Sequence, residues 1–91
     1  MILKPVSDGS VVGTGTLAFV SGVLGGVLIT ANGTNDATVT LQADNSDGYT
    51  AFKIVTKSPI FVAGPIRIAS QAGYYSVSGT GSGCQFYEWV E

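Results

Sequence analysis

Apolar and polar residues alternate with a period of two along much of this chain, in short runs broken by Gly, Asn, Asp and Ser. Residues 37–43, ATVTLQA, put Val39 and Leu41 on one face and Thr38, Thr40 and Gln42 on the other. That is the pattern of a half-buried antiparallel strand. Residues 51–56 alternate again, Phe52 and Ile54 opposing Lys53 and Val55, and residues 84–90 set Cys84, Phe86, Glu88 and Val90 against Gln85, Tyr87 and Trp89. Further strands are predicted over 16–20, 22–31, 60–62, 66–69 and 74–78, with Ile66 and Ile68 inward, Arg67 outward and a bulge or bend at Gly25-Gly26. The predicted core is Val39, Leu41, Phe52, Ile54, Ile66, Ile68, Tyr74, Val77 and Phe86.

Turns are predicted at 9–15, at NGTND (32–36), at DNSDG (44–48), at Ala63-Gly64-Pro65, at Ala72-Gly73 and at GTGSG (79–83), read as a hairpin loop. Ile2 to Val6 reads as a short strand or arm. Pro5 lacks a ladder donor, which confines the segment to a sheet edge or a neighbouring subunit. No window carries a capped helical stripe. Short strands spaced by turns, without interleaved helices, predict one all-β domain over 1–91: a small antiparallel β-sandwich, jelly-roll-like, with 1–8 as an extended N-terminal arm.

Composition adds a reason to expect contacts. Charged residues make up 11% of the 91 and hydrophobic ones 45%, against about 25% charged in an ordinary soluble domain. So short a chain buries a modest core. Cys84 is the only cysteine and there is no His, so internal disulfides and zinc clusters are excluded and oligomerisation is the remaining common source of stability. A net charge of −2, with Lys4, Lys53, Lys57 and Arg67 scattered, argues against nucleic-acid binding. The apolar stretch 17–31 is interrupted by Ser21, Gly22, Gly25 and Gly26 and has no basic residues directly before it, so neither a membrane span nor a signal peptide is expected. The lone cysteine fits assembly in a reducing setting.

The candidate chemistry is thin. Serine catalysis needs a base, and there is no His. Cys84, at an inward strand position, reads as a core residue. Asp44 and Asp47 belong to a turn, and position five of a calcium loop counted from Asp44 is Gly48. GTGSG resembles a phosphate cradle but leads into a strand. No enzyme activity and no cofactor are expected. Tyr75, Tyr87 and Trp89 would project outward if Tyr74 and Phe86 point in. Together with Tyr49 and Tyr74 they serve either as a sugar-stacking platform, or as packing between subunits or a cap on a thin core, where Tyr and Trp are enriched.

Two stretches carry a family likeness: GVLGGVLITANGTNDATVTLQ (22–42) and AGYYSVSGTGSGCQFYEWVE (72–91). In both, the chain resembles small β-sandwich virion structural proteins of tailed bacteriophages. It departs from them at Gln42-Ala43-Asp44, where Tyr-Asp is usual, and in a tail that runs past Tyr87-Glu88. The resemblance implies a virion component assembled in the host cytoplasm: a capsid decoration (cement) protein, or a neck, tail or fibre-base accessory. Its partners would be a major capsid or other virion protein and further copies of itself, with no nucleic acid and no membrane. A carbohydrate-binding adhesive module is the alternative of another class. The residues expected at interfaces are Ile2, Leu3, Pro5, Val6, Tyr75, Tyr87 and Trp89.

Overall fold

The computed structural model describes residues 2–6, 9–68 and 70–91. Met1, Ser7 and Asp8 of the predicted arm, and Ala69 at the end of one predicted strand, lie outside them. Among the described residues the chain forms eight strands: β1 (Ile2–Pro5), β2 (Gly13–Ala18), β3 (Val23–Thr30), β4 (Ala37–Ala43), β5 (Thr50–Thr56), β6 (Ile60–Arg67), β7 (Ala72–Ser78) and β8 (Gly83–Val90). All pair antiparallel, in two four-stranded sheets of order β1-β8-β3-β6 and β2-β7-β4-β5. The pairing nests β4 with β5, β3 with β6, β2 with β7 and β1 with β8, as when one long hairpin is rolled up. The fold is a small β-sandwich with the strand order of a jelly roll.

The alternation read from the sequence sets the layers. Val39, Leu41, Ile68, Val77, Cys84 and Phe86 are fully buried between the sheets, with Leu24, Val27 and Ile29 of β3 beside them. Phe52, Ile54 and Ile66 are half-buried and pack against this core. The expected bulge falls in β3, where the register shifts between Leu24 and Gly26.

The structure corrects the sequence reading in six places. Tyr74 is not a core residue. Strand β7 begins at Ala72 rather than after a turn there, and buried Gly73 and Val77 put Tyr75 on the inner face. Tyr75 packs against Phe86 with ring centroids 6.2 Å apart, so its expected outward position is also wrong. The segments 60–62 and 66–69, expected as two strands around a turn, form the single strand β6, which tolerates Pro65 because it lies on a sheet edge. Strand β2 starts at Gly13, inside the stretch expected to turn. The GTGSG segment is not a hairpin loop: it carries the chain from β7 in one sheet to β8 in the other.

Removing a fully buried side chain costs its transfer energy plus the cavity it leaves. Leu41→Ala should therefore lower unfolding free energy by about 2–5 kcal/mol, whereas Val55→Ala, on the exposed side of β5, should change it by under about 0.5 kcal/mol. Urea denaturation followed by tryptophan fluorescence checks both; equal costs would mean the register of the second sheet is wrong.

Candidate functional site

The outer faces of the two sheets differ in chemistry. On the second sheet the rows running across the strands are Ser78–Thr38–Val55, Thr14–Ser76–Thr40–Lys53 and Thr16–Tyr74–Gln42–Thr50, with Val55 the one exposed aliphatic among them. That is a hydroxyl- and amide-rich surface suited to water. On the first sheet the corresponding rows are Pro5–Tyr87–Gly26–Ala63 and Gln85–Leu28–Phe61, with Leu3 beside Trp89 next to them. Phe61 is 49% exposed and Leu28 37%, so large apolar groups meet solvent on this face.

Glycines in the β3 bulge make the aromatic arrangement possible. A Cβ at Gly26 would collide with the Phe61 ring, and one at Gly25 would collide with Leu3 and lie 2.8 Å from Trp89 Cε2. The rings therefore lie directly on the backbone of β3. Phe61 and Tyr87 stand 6.3 Å apart at 56°, a tilted aromatic contact.

At one end of this face the sheet meets the loop before β3 and forms a shallow groove of about 890 Å³. Val20 and Val23 line one side, Pro65 and Arg67 of β6 another, and Trp89 and Glu91 the third. The loop wall is tied down from below by Glu88, which is only 1% exposed. Its carboxylate accepts hydrogen bonds from the Val20 amide at 3.0 and 2.9 Å, from the Ser21 amide at 3.1 Å and from the Ser21 hydroxyl at 3.3 Å. A buried carboxylate surrounded by donors is a strong anchor. Gly22, at φ +74°, lets the chain turn here, where a Cβ would meet the Ser70 carbonyl oxygen at 2.9 Å.

Of the seven residues expected at interfaces, the structure gathers Leu3, Pro5, Tyr87 and Trp89 on the apolar face. Ile2 is exposed on the other side of the edge strand β1. Val6 is half-buried, packs against the core and donates its amide to the Phe86 carbonyl at 2.8 Å. Tyr75 belongs to the core. Sequence reasoning missed Phe61, Leu28, Arg67 and Glu91 on this face, and the anchoring role of Glu88. The signal for Phe61 was present: IFVAGPI, read as one strand, is apolar on both faces.

Cys84 is fully buried, and burial pushes its thiol up to about 12, so it stays protonated at neutral pH. Among the described residues no three His, Cys, Asp or Glu lie together as a metal site would require. No helix among them is long and apolar enough to cross a membrane. No protein-family model, curated protein or solved structure matches the chain.

Two outcomes follow from these contacts. Glu88→Ala leaves the Val20 and Ser21 amides without their acceptor and should cost about 1–3 kcal/mol, with Glu88→Gln, which keeps the side-chain volume and one acceptor oxygen, costing less but still measurably; a Gln chain as stable as the original in chemical denaturation would place the effect in packing rather than in the anchor. Gly26→Ala should displace the Phe61 ring from β3, detectable as loss of nuclear Overhauser contacts between Phe61 and Tyr87 while the β-sheet circular dichroism persists. Retention of those contacts would show that the ring does not rest on Gly26.

Proposed function

We propose that this chain is a non-enzymatic virion structural protein, a capsid decoration (cement) protein that stabilises a phage head through contacts made by the apolar outer face of its first sheet. The observation that carries the reading is the contrast between the two outer faces: one mostly Thr, Ser, Gln and Lys with Tyr74 and Val55 among them, the other gathering Trp, Tyr, Phe, Leu and Pro. A contiguous exposed apolar patch on a small protein marks an interaction surface, and aromatic enrichment is the signature of protein interfaces. Few charges and an edge strand of apolar residues at the N-terminal arm support the same reading. The virion setting comes from the likeness of residues 22–42 and 72–91 to small phage virion proteins. A jelly roll is used in viral capsid and lectin domains alike, so the fold narrows nothing further. A neck, tail or fibre-base position would use the same surface.

The reading in another class is a carbohydrate-binding module. What favours it is Trp89 lining a groove beside Arg67 and Glu91, an aromatic wall flanked by hydrogen-bonding groups.

The test is the particle itself. Mass spectrometry of purified virions encoding this chain should find it in many copies, and particles lacking it should lose their genome at a lower temperature, with restoration on adding the purified protein. Its absence from virions, together with specific retention on a glycan array, would replace the structural reading with the carbohydrate-binding one.

A further inference from the structure

We infer that the groove beside Trp89 binds an acidic oligosaccharide, one sugar ring stacking on Trp89 and the carboxylate of a neighbouring unit pairing with Arg67. The inference rests on the carbohydrate-binding reading of that groove and names its ligand class. The groove lies at the loop end of the sheet, away from Phe61 and Tyr87, so a shell contact at those rings is compatible with it.

The groove continues past Arg67 into a second hollow of about 260 Å³, lined by Gly22, Ser70 and Gln71, and the two share Ser21 and Arg67. Arg67 of β6 pairs with Val23 of β3, and Leu24 pairs with Glu88, which brings Trp89 of β8 level with Val23 on the other side. Trp89, Val23 and Arg67 therefore form one row on the outer face. Two strand spacings of about 4.8 Å put its ends roughly 10 Å apart, about the length of a disaccharide. A half-buried indole, an exposed cation and a patch of hydroxyl and amide groups thus follow one another along a continuous path.

The path is preformed. Besides the Glu88 anchor, the Gln71 side-chain amide donates to the Val20 carbonyl at 3.3 Å, and the Phe19 amide donates to the Gln71 carbonyl at 2.8 Å. The Ile68 amide donates to the Gly22 carbonyl at 2.9 Å, the Tyr49 hydroxyl to the Ile68 carbonyl and the Ser70 hydroxyl to the Asp44 carboxylate. Loops far apart in the chain are cross-linked here, so a ligand meets walls that need little further ordering.

Charge selects an acid. The Arg67 side chain stands between the two hollows with no hydrogen-bond or ion-pair partner among the described residues. Glu88 is engaged with the Val20 and Ser21 amides and Asp44 with Ser70, while Glu91 lines the groove beyond Trp89. The guanidinium fork matches a carboxylate, and Glu91 is left to accept hydrogen bonds from sugar hydroxyls.

A peptide suits the groove less well. Both edge strands of this sheet carry a proline, Pro5 in β1 and Pro65 in β6, so neither offers an unbroken row of ladder donors to an added strand. Laid across Trp89 and Val23, a peptide would leave backbone groups unpaired against apolar side chains. A sugar ring sets its C–H face there and turns its hydroxyls outward, matching an apolar surface flanked by a few polar groups.

Titrations of the whole chain followed by NMR test this, with the emission of Trp89, the only tryptophan, as a second readout. The probes are trigalacturonate and sialyllactose, beside their neutral counterparts methyl-esterified trigalacturonate and lactose. At least one acidic probe should bind with a dissociation constant on the order of 0.1–1 mM. It should move the amide signals of residues 20–23 and the Trp89 emission, and its neutral counterpart should bind roughly tenfold or more weakly. Arg67→Gln should bring the acidic probe down to the affinity of its neutral counterpart. Trp89→Leu should abolish binding with the β-sheet circular dichroism intact. Val20→Asp, a change at an exposed wall residue, should weaken the acidic probe by setting a like charge beside it. Neutral sugars bound as tightly as acidic ones, or binding indifferent to Arg67→Gln, overturn the inference and leave the carbohydrate reading standing. Failure of all four probes at about 10 mM, together with an empty glycan array, overturns both. Peptides tiled from the particle's capsid protein that move residues 20–23 where no sugar does overturn it in favour of a protein partner.

Discussion

The ladder between β3 and β8 is the constraint on which the rest of this molecule depends. These two central strands of the first sheet supply Leu24, Val27, Ile29, Cys84, Phe86 and Glu88, all fully buried, to the inner face. Their register also decides what stands outside. Because side chains alternate, fixing Val27 opposite Phe86 places Gly26 opposite Tyr87 and Leu28 opposite Gln85 on the outer face. The extra residue at the bulge supplies the second glycine on which the aromatic rings rest. A slip of one residue would bury the polar and glycine positions and expose the core, so the core's packing energy also enforces the outer surface. The Glu88 anchor extends this order beyond the sheet, since the β8 strand that packs the core also holds the loop forming one wall of the groove.

Where one face of a strand is polar, the sequence was readable. The Thr-Val-Thr-Leu-Gln run of β4 and the Phe-Lys-Ile-Val run of β5 declared their inner residues without ambiguity, and the separation of Cys84, Phe86 and Glu88 from Tyr87 and Trp89 held. Strands apolar on both faces were not readable in the same way. In β6, Ile60, Val62 and Ile66 face the core while Phe61 and Pro65 face outward, and Ala-Gly-Pro in the middle imitates a turn. Tyr74 and Tyr75 are chemically alike, so only the pairing of β7 with β2 and β4 decides which enters the core. The site was partly legible for the same reason. Tyr87 and Trp89 could be placed outward from alternation, but their neighbours Phe61 and Arg67 come from a strand some twenty residues away, and nothing local announces that pairing. Glu88 was placed on the inner face by parity, yet its partners Val20 and Ser21 lie 68 and 67 residues away in the chain.

The rolled pairing of first strand with last bears on how the chain is made. Strand β1 emerges from the ribosome first and finds its ladder partner only when β8 has been synthesised, and the same order holds for β2 waiting on β7 and β3 on β6. Until then the apolar inner faces of the early strands have no permanent neighbour. Folding dominated by such distant pairings is slow and exposes sticky edges on the way. The β4–β5 hairpin, closed by the short DNSDG turn, is the one ladder that can form early, and it offers a nucleus onto which the flanking strands can add pair by pair. Nascent chains stalled before β8 should therefore be the species most in need of a chaperone.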